Sequence, residues 1–169
     1  AIDSTLQRAL TENDVVLISG GVSKGDFDLV PDVMQRNNIE ILFDAIAIKP
    51  GKPTTFGVSG DRCCFGLPGN PVSTLIQFEL LVKPYLYKRM GHDYKEKCPV
   101  FPLGTCIGAG RAKRAACLPV IVSAEGRVLP AQYHGSAHIS ALCEAGGFIV
   151  IPAGTERLEE GSPVRVRSL

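Results

Sequence analysis

Val15-Val16-Leu17-Ile18-Ser19-Gly20-Gly21-Val22-Ser23-Lys24-Gly25-Asp26-Phe27-Asp28 decides the fold class. Val15–Ser19 is short, apolar and rich in β-branched residues, the signature of a buried strand. A glycine turn follows, and Asp28–Asn37 then takes up helical spacing, with Leu29, Val33 and Met34 on the inward face. A buried strand that delivers a glycine-rich turn into a helix is the unit of an α/β fold. Gly20, Gly21 and Gly25 lack a Cβ and accept positive φ, so the main chain can approach a ligand closely. The turn lacks the dinucleotide fingerprint and the G-K-[ST] ending of a P-loop. Alone it fits an ordinary tight βα connection as well as a phosphate-binding one.

Outward from this stretch the pattern continues. Thr5–Leu10 reads as the end of a helix, with Leu6, Ala9 and Leu10 on one face. Pro31 is tolerated in the first turn of the second helix, and Asp28 near its start suits the free N–H groups there. Ile39–Ile48, Thr54–Val58 and Arg62–Gly66 read as strands, with Ser59-Gly60-Asp61 as a turn. Val72–Met90 is the longest helix. Leu75, Ile76, Phe78, Leu81, Val82 and Leu86 form its stripe, Gly91 ends it, and Pro84 is expected to bend or break it near Leu80–Leu81.

After Asp93 the character changes. Tyr94–Leu103 reads as a Lys- and Pro-rich linker. Cys117–Val122, Arg127–Pro130, Gly147–Ile151 and Pro163–Val166 read as short strands, with Ser123–Gly126 as a hairpin turn. The expected organisation is an α/β part over 1–94 and a small all-β part over 95–169.

The 169 residues carry a net charge of +1, with 45% hydrophobic and 21% charged residues, so neither a nucleic-acid footprint nor a polybasic membrane surface is indicated. No run reaches the length of a transmembrane helix, and no signal peptide is read at the start. The six cysteines include no C-x-x-C pair, so a zinc ribbon is not suggested. Reduced, mostly buried thiols in a cytoplasmic protein are expected.

Two further loops carry chemistry. Lys49-Pro50-Gly51-Lys52-Pro53 holds two ammonium groups on a rigid turn, a device suited to an oxyanion and equally readable as a solvated basic turn. Gly66-Leu67-Pro68-Gly69-Asn70-Pro71-Val72-Ser73 joins a strand to the long helix. Asn70 reads as N-cap, Pro71 as the first helical residue, and Ser73 as an added hydroxyl. Each of the three loops follows a predicted strand, so all three are expected along one edge of the sheet, where α/β proteins bind ligands. His134 and His138, four apart, read as surface or cleft residues, and Arg111–Arg114 as a solvated face.

S-G-G-V-S-x-G-D-x-D, K-P-G-K-P and G-L-P-G-N-P-V-S, in this order, resemble the molybdopterin molybdenumtransferase family, to which the E domain of gephyrin belongs. The likeness covers about Asp14–Met90 closely. From Cys98 onward it is looser, resting on Gly110-Arg111, His134-Gly135-Ser136 with His138-Ile139, and Gly147–Pro152. The resemblance implies a three-layer αβα molybdopterin-binding-like domain, incomplete at its N-terminus, followed by a β-barrel-like domain. It implies insertion of molybdate into molybdopterin-AMP with release of AMP, a bound Mg²⁺, and a homodimer. The upstream adenylyltransferase is implied as a possible partner. Asp28 and Asp26 would serve as catalytic and metal-binding residues, and Gly20, Gly21, Ser23 and Gly25 would shape the phosphate contact. Lys49 and Lys52 would offset anionic charge, with Pro68, Asn70, Pro71 and Ser73 forming the opposing loop.

Two features depart from the family's pattern. The upstream T-G-[DE]-E-like loop is absent, so the chain is expected to be a C-terminal portion of a longer protein. Lys113–Cys117 replaces the usual aromatic and Arg-Gly. The alternatives are a scaffold module without turnover and a molybdopterin adenylyltransferase. Retained Asp28, Lys49 and Lys52 favour an enzyme over the first. The G-L-P-G-N-P-V-S loop, joined to a β domain, argues against the second.

Overall fold

A computed structural model of the chain describes residues 2–22, 29–108, 113–131 and 145–169. The chain divides into two compact units, residues 1–46 with 51–82, and residues 47–50 with 83–169.

In the first unit, α1 (Ile2–Glu12) leads into β1 (Val15–Ser19), α2 (Val30–Arg36) and β2 (Glu40–Phe43). β4 (Thr55–Ser59), β5 (Arg62–Leu67) and α3 (Pro71–Gln77) follow, and the chain then widens into a π-helical turn over Phe78–Val82. The sheet runs in the order β1-β5-β4-β2, with β1 parallel to β5 and the other two pairings antiparallel. Side chains alternate across it. On one face Val16 and Cys64 meet Leu6 and Leu10 of α1 and Val30, Val33 and Met34 of α2 in one apolar cluster. On the other face Phe65, Phe56 and Phe43 are register partners in neighbouring strands. Their ring centroids stand 4.6 and 5.7 Å apart, the cross-strand aromatic contact that ties strands together.

Several expectations are corrected here. Leu29 does not face inward; it is 44% exposed, and Val30 takes the buried place beside Val33 and Met34. Ile39–Ile48 is not one strand. The chain leaves the first sheet after Phe43, and Ile48–Lys49 forms β3 in the other unit's sheet. The disturbance expected near Leu80–Leu81 takes the form of a π-helical turn, Phe78–Val82, just ahead of Pro84, and α4 (Lys83–Arg89) follows it without a gap.

The second unit is built of β3 (Ile48–Lys49), β6 (Val100–Pro102), β7 (Ile107–Gly108), β8 (Ala115–Val122), β9 (Val128–Pro130), β10 (Gly147–Ile151), β11 (Arg157–Leu158), β12 (Pro163–Arg165) and β13 (Arg167–Ser168), with α4 preceding β6. One sheet runs β13-β10-β8-β3, with β9 also on β8, and β11 pairs β7 while β12 pairs β6. The strands enclose Leu103, Ile107, Val120, Val128, Ile149, Ile151, Val164 and Val166. The expected linker therefore contains a strand, Val100–Pro102, fixed by its antiparallel ladder to β12. The turn at Ser123–Gly126 closes as read, with Gly126 N donating to Ser123 O at 2.9 Å and φ +71° at Gly126. Among the described residues no helix is long and apolar enough to cross a membrane.

Candidate functional site

Parallel pairing of β1 and β5 sets Ser19 beside Leu67, so the two strands release their chains side by side. Gly20 N donates to Leu67 O at 2.9 Å, and Val30 N donates to Gly21 O at 3.0 Å. The described start of the first loop, Gly20 and Gly21, is thus held between β5 and the start of α2. Gly20 and Gly21 adopt φ +92° and +66°, which L side chains rarely accept. A Cβ placed on Gly69 would stand 3.2 Å from the Cα of Gly20. The two loops therefore touch main chain to main chain.

The third loop ends in a helix cap. Asn70 has extended backbone, its Oδ1 accepts from Ser73 N at 3.3 Å, and Pro71 opens the helix. Ser73 Oγ also reaches Asn70 Oδ1, at 3.4 Å. Thr74 Oγ1 donates to Pro68 O and, at 3.0 Å, to Asn70 O. Ser73 is buried, so its hydroxyl belongs to the cap as well as to the cleft wall.

The second loop reaches the same place by a different route. Thr55, the first residue of β4, is the register partner of Gly66, and β4 runs antiparallel to β5. The loop follows β3, as expected of it, but β3 belongs to the other sheet, and the loop meets this edge as it enters β4. Gly51 has φ +109°. Thr54 Oγ1 donates to Gly51 O at 2.8 Å inside the protein, and Ile46 N donates to Lys52 O at 2.9 Å.

The three loops line one cleft of about 350 Å³, formed by Gly20, Gly21, Val22, Gly51, Pro53, Pro68, Gly69, Asn70 and Ser73. Glycine exposes main chain, so this wall offers peptide groups plus the oxygens of Asn70 and Ser73. Lys52 is exposed beside Gly51 and Pro53. Larger cavities exist, about 520 Å³ around Arg165 and Arg167 in the second unit and about 440 Å³ along α1 and β1. None of the described residues expected at the site lines either of them.

Of the expected residues, the cleft gathers Gly20, Gly21, Pro68, Asn70 and Ser73; Lys52 stands exposed between the lining residues Gly51 and Pro53, and Pro71 follows the cap. Lys49 ends β3 of the second unit, exposed, and the Lys49–Pro50 peptide is cis. Ser23, Gly25, Asp26 and Asp28 lie outside the described residues, as do Gly110, Arg111, His134 and His138. Among the described residues no group of three or more His, Cys, Asp or Glu is placed to hold a metal. Sequence reading missed Val22, an apolar wall of the cleft, and Gln77, which lies fully buried against Gly51. The thiols are as expected where described. Cys63, Cys64 and Cys117 are buried, and burial pushes Cys64 up to about 12 and Cys117 up to about 11.

Residues 1–88 match the family described as a probable molybdopterin binding domain, and residues 109–169 match the MoeA C-terminal region, domain IV. The chain is 32% identical over 164 residues to a molybdopterin molybdenumtransferase of Staphylococcus epidermidis, covering 95% of this chain and 39% of that one. A Bacillus subtilis protein of the same name is 30% identical over 166 residues, with 96% and 39% covered. The crystal structure of the molybdopterin biosynthesis MoeA protein from Pyrococcus horikosii superposes with a TM-score of 0.83 at 35% identity, over 99% of this chain and 40% of that one. A molybdenum cofactor biosynthesis protein from Pyrococcus furiosus gives 0.77 at 27% identity, over 99% and 54%. The chain spans about 39% of the length of the curated relatives it matches. With an α/β unit carrying the glycine loops followed by a β unit, the chain belongs to the molybdopterin molybdenumtransferase (MoeA) family.

Proposed function

We propose that this chain is part of a cytoplasmic enzyme of molybdenum cofactor synthesis that inserts molybdate into molybdopterin-AMP and releases AMP. The observation that carries the reading is the convergence of Gly20–Val22, Gly51–Pro53 and Pro68–Ser73 on one main-chain-lined cleft. Peptide N–H groups and a nearby ammonium suit phosphate and molybdate, which demand several donors and positive charge. In this reading the glycines let the main chain close on the phosphate of the substrate. Lys52 offsets its charge, and Lys49 contributes to the same balance. Asn70 and Ser73 hold the opposing loop in shape. The α/β part is taken as 1–94 and the β part as 95–169, and the working form is taken as a homodimer.

Asp26 and Asp28 would hold Mg²⁺, because carboxylate oxygens are the donors that hard cation prefers. When bound it would neutralise phosphate charge. The described lining carries no carboxylate, so the metal assignment rests on these two residues.

The test is calorimetric titration of the intact protein with molybdopterin-AMP, with and without Mg²⁺ and molybdate, while AMP release is followed. Binding with molybdate-dependent AMP release is expected. Binding without release would replace the reading with a scaffold, and no binding would remove it. Asp28→Asn is expected to abolish metal-dependent turnover while leaving the fold intact; unchanged turnover would sink the assignment of Asp28.

A further inference from the structure

We propose that Gln77 is a positioning residue for the Gly51-Lys52-Pro53 turn, and through it for the ammonium of Lys52. The proposal rests on the anion-binding reading of the cleft. Gln77 sits in the last turn of α3 and is fully buried, a place where an amide is unusual and an aliphatic side chain is the rule. It lies directly behind Gly51. A Cβ built on Gly51 would fall 2.3 Å from Gln77 Nε2 and 2.8 Å from both Cδ and Cγ. The amide thus occupies the space a side chain at 51 would need, and Gly51 holds φ +109° against it.

The rest of the turn's anchoring is also polar and buried. Thr54, fully buried, donates from Oγ1 to Gly51 O at 2.8 Å, and Thr54 N donates to Lys52 O at 3.0 Å. Gly51 and Pro53 line the cleft while Lys52 stands exposed between them. Gln77 is therefore one residue removed from the ligand and sets how far the turn sinks toward α3. Its effect on binding passes through the turn and not through contact.

Gln77→Met keeps length and burial but removes the amide, and Gln77→Asn keeps an amide but withdraws it from Gly51. Hydrogen exchange on the intact protein is the first readout, because it needs no ligand. At least tenfold faster exchange is expected at the Ile46 and Thr54 amides, which both donate to Lys52 O, with the β1–β5 ladder unchanged. Unchanged exchange at Ile46 and Thr54 overturns the proposal. If Gln77→Met does not fold, the same comparison is made on Gln77→Asn. The second readout is the affinity for molybdopterin-AMP in a cycle with Lys52→Ala. About a tenfold loss is expected from Gln77→Met in the parent and less than twofold in the Lys52→Ala background. Equal losses in both backgrounds overturn the proposal. If molybdopterin-AMP does not bind the parent protein, the proposed function falls, and exchange alone decides Gln77.

Discussion

Asn70 separates stability from binding, because its side chain caps a helix while its position lines the cleft. In Asn70→Ala the acceptor for Ser73 N at 3.3 Å is lost, which costs about 1 kcal/mol for a helix cap. Ser73 is only 4% exposed, so its hydroxyl, 3.4 Å from the same oxygen, loses a partner where water reaches poorly, costing about 1 kcal/mol more. A total of about 2 kcal/mol lowers the melting temperature by roughly 4–8 °C for a chain of this size. Asn70→Asp keeps the acceptor and adds a negative charge at a helix start, worth about 0.3–1 kcal/mol in favour of the fold. Its melting temperature should stay within about 2 °C of the parent. A carboxylate about 6 Å from a bound anion, at an effective dielectric near 40, repels it by about 1.4 kcal/mol, a tenfold loss of affinity that shrinks with added salt. Thermal unfolding by circular dichroism and calorimetric titration with molybdopterin-AMP measure the two effects separately. If Asn70→Asp melts as low as Asn70→Ala, the cap argument is wrong. If it binds the anion as tightly as the parent, the cleft does not hold the anion.

Gly66→Ala should destabilise by about 1–3 kcal/mol through overpacking, since the new Cβ would meet Val22 Cγ1 at 2.8 Å and Val30 Cγ1 and Thr55 Cβ at 3.2 Å; a urea midpoint equal to the parent's would refute this. Gly20→Ala places an L side chain at φ +92° with only an ordinary contact, Gly69 Cα at 3.8 Å, so its cost is conformational, about 1–2 kcal/mol, and the same denaturation assay checks it. The buried thiols set an alkaline limit. Cys64 and Cys117 are raised to about 12 and about 11 in the fold, so below an ordinary thiol pKa both states hold the proton and stability is full. As pH rises past about 8.5 the unfolded chain ionises first, and stability declines toward pH 11–12. Urea midpoints from pH 8 to 10.5 should fall, with a shallower slope in Cys64→Ala, and an equal slope in that variant would contradict the argument.

The parts of the fold legible in the sequence are those where local chemistry and tertiary packing agree. Val15–Ser19, Arg62–Leu67 and Gly147–Ile151 are strands by composition; the last two are largely buried, while Val15–Ser19, expected as a buried strand, lies at the edge of its sheet with only Val16 buried and Leu17 43% exposed. Asn70-Pro71 marks a helix start because the cap is made by neighbours in sequence. The misread parts depend on partners far along the chain. Ile39–Ile48 reads as one apolar run, yet Ile41 and Phe43 pair with β4 while Ile48 pairs with Ala115. Val100–Pro102 looks like linker because its ladder partner lies beyond residue 160. Gln77 escaped notice because the helical stripe was traced through apolar residues. The buried face of α3 is Val72, Ser73, Ile76 and Gln77, two of them polar, while Leu75, Phe78 and Leu81 of the apolar stripe are only half-buried.

The main-chain character of the cleft decides which substitutions can disturb it. Of its nine lining residues four are glycine and two are proline, so deleting a side chain removes little, and only Asn70 and Ser73 present side-chain oxygens. Adding atoms is the stronger perturbation. A Cβ at Gly69 presses on the Cα of Gly20, and one at Gly51 collides with the Gln77 amide. Backbone has nowhere to yield in the first case, and a buried side chain must move in the second. The glycine pattern that first marked these loops in the sequence therefore reports close approach of chain to chain as well as of chain to ligand. Gly20 and Gly69 serve the first purpose by their contact alone.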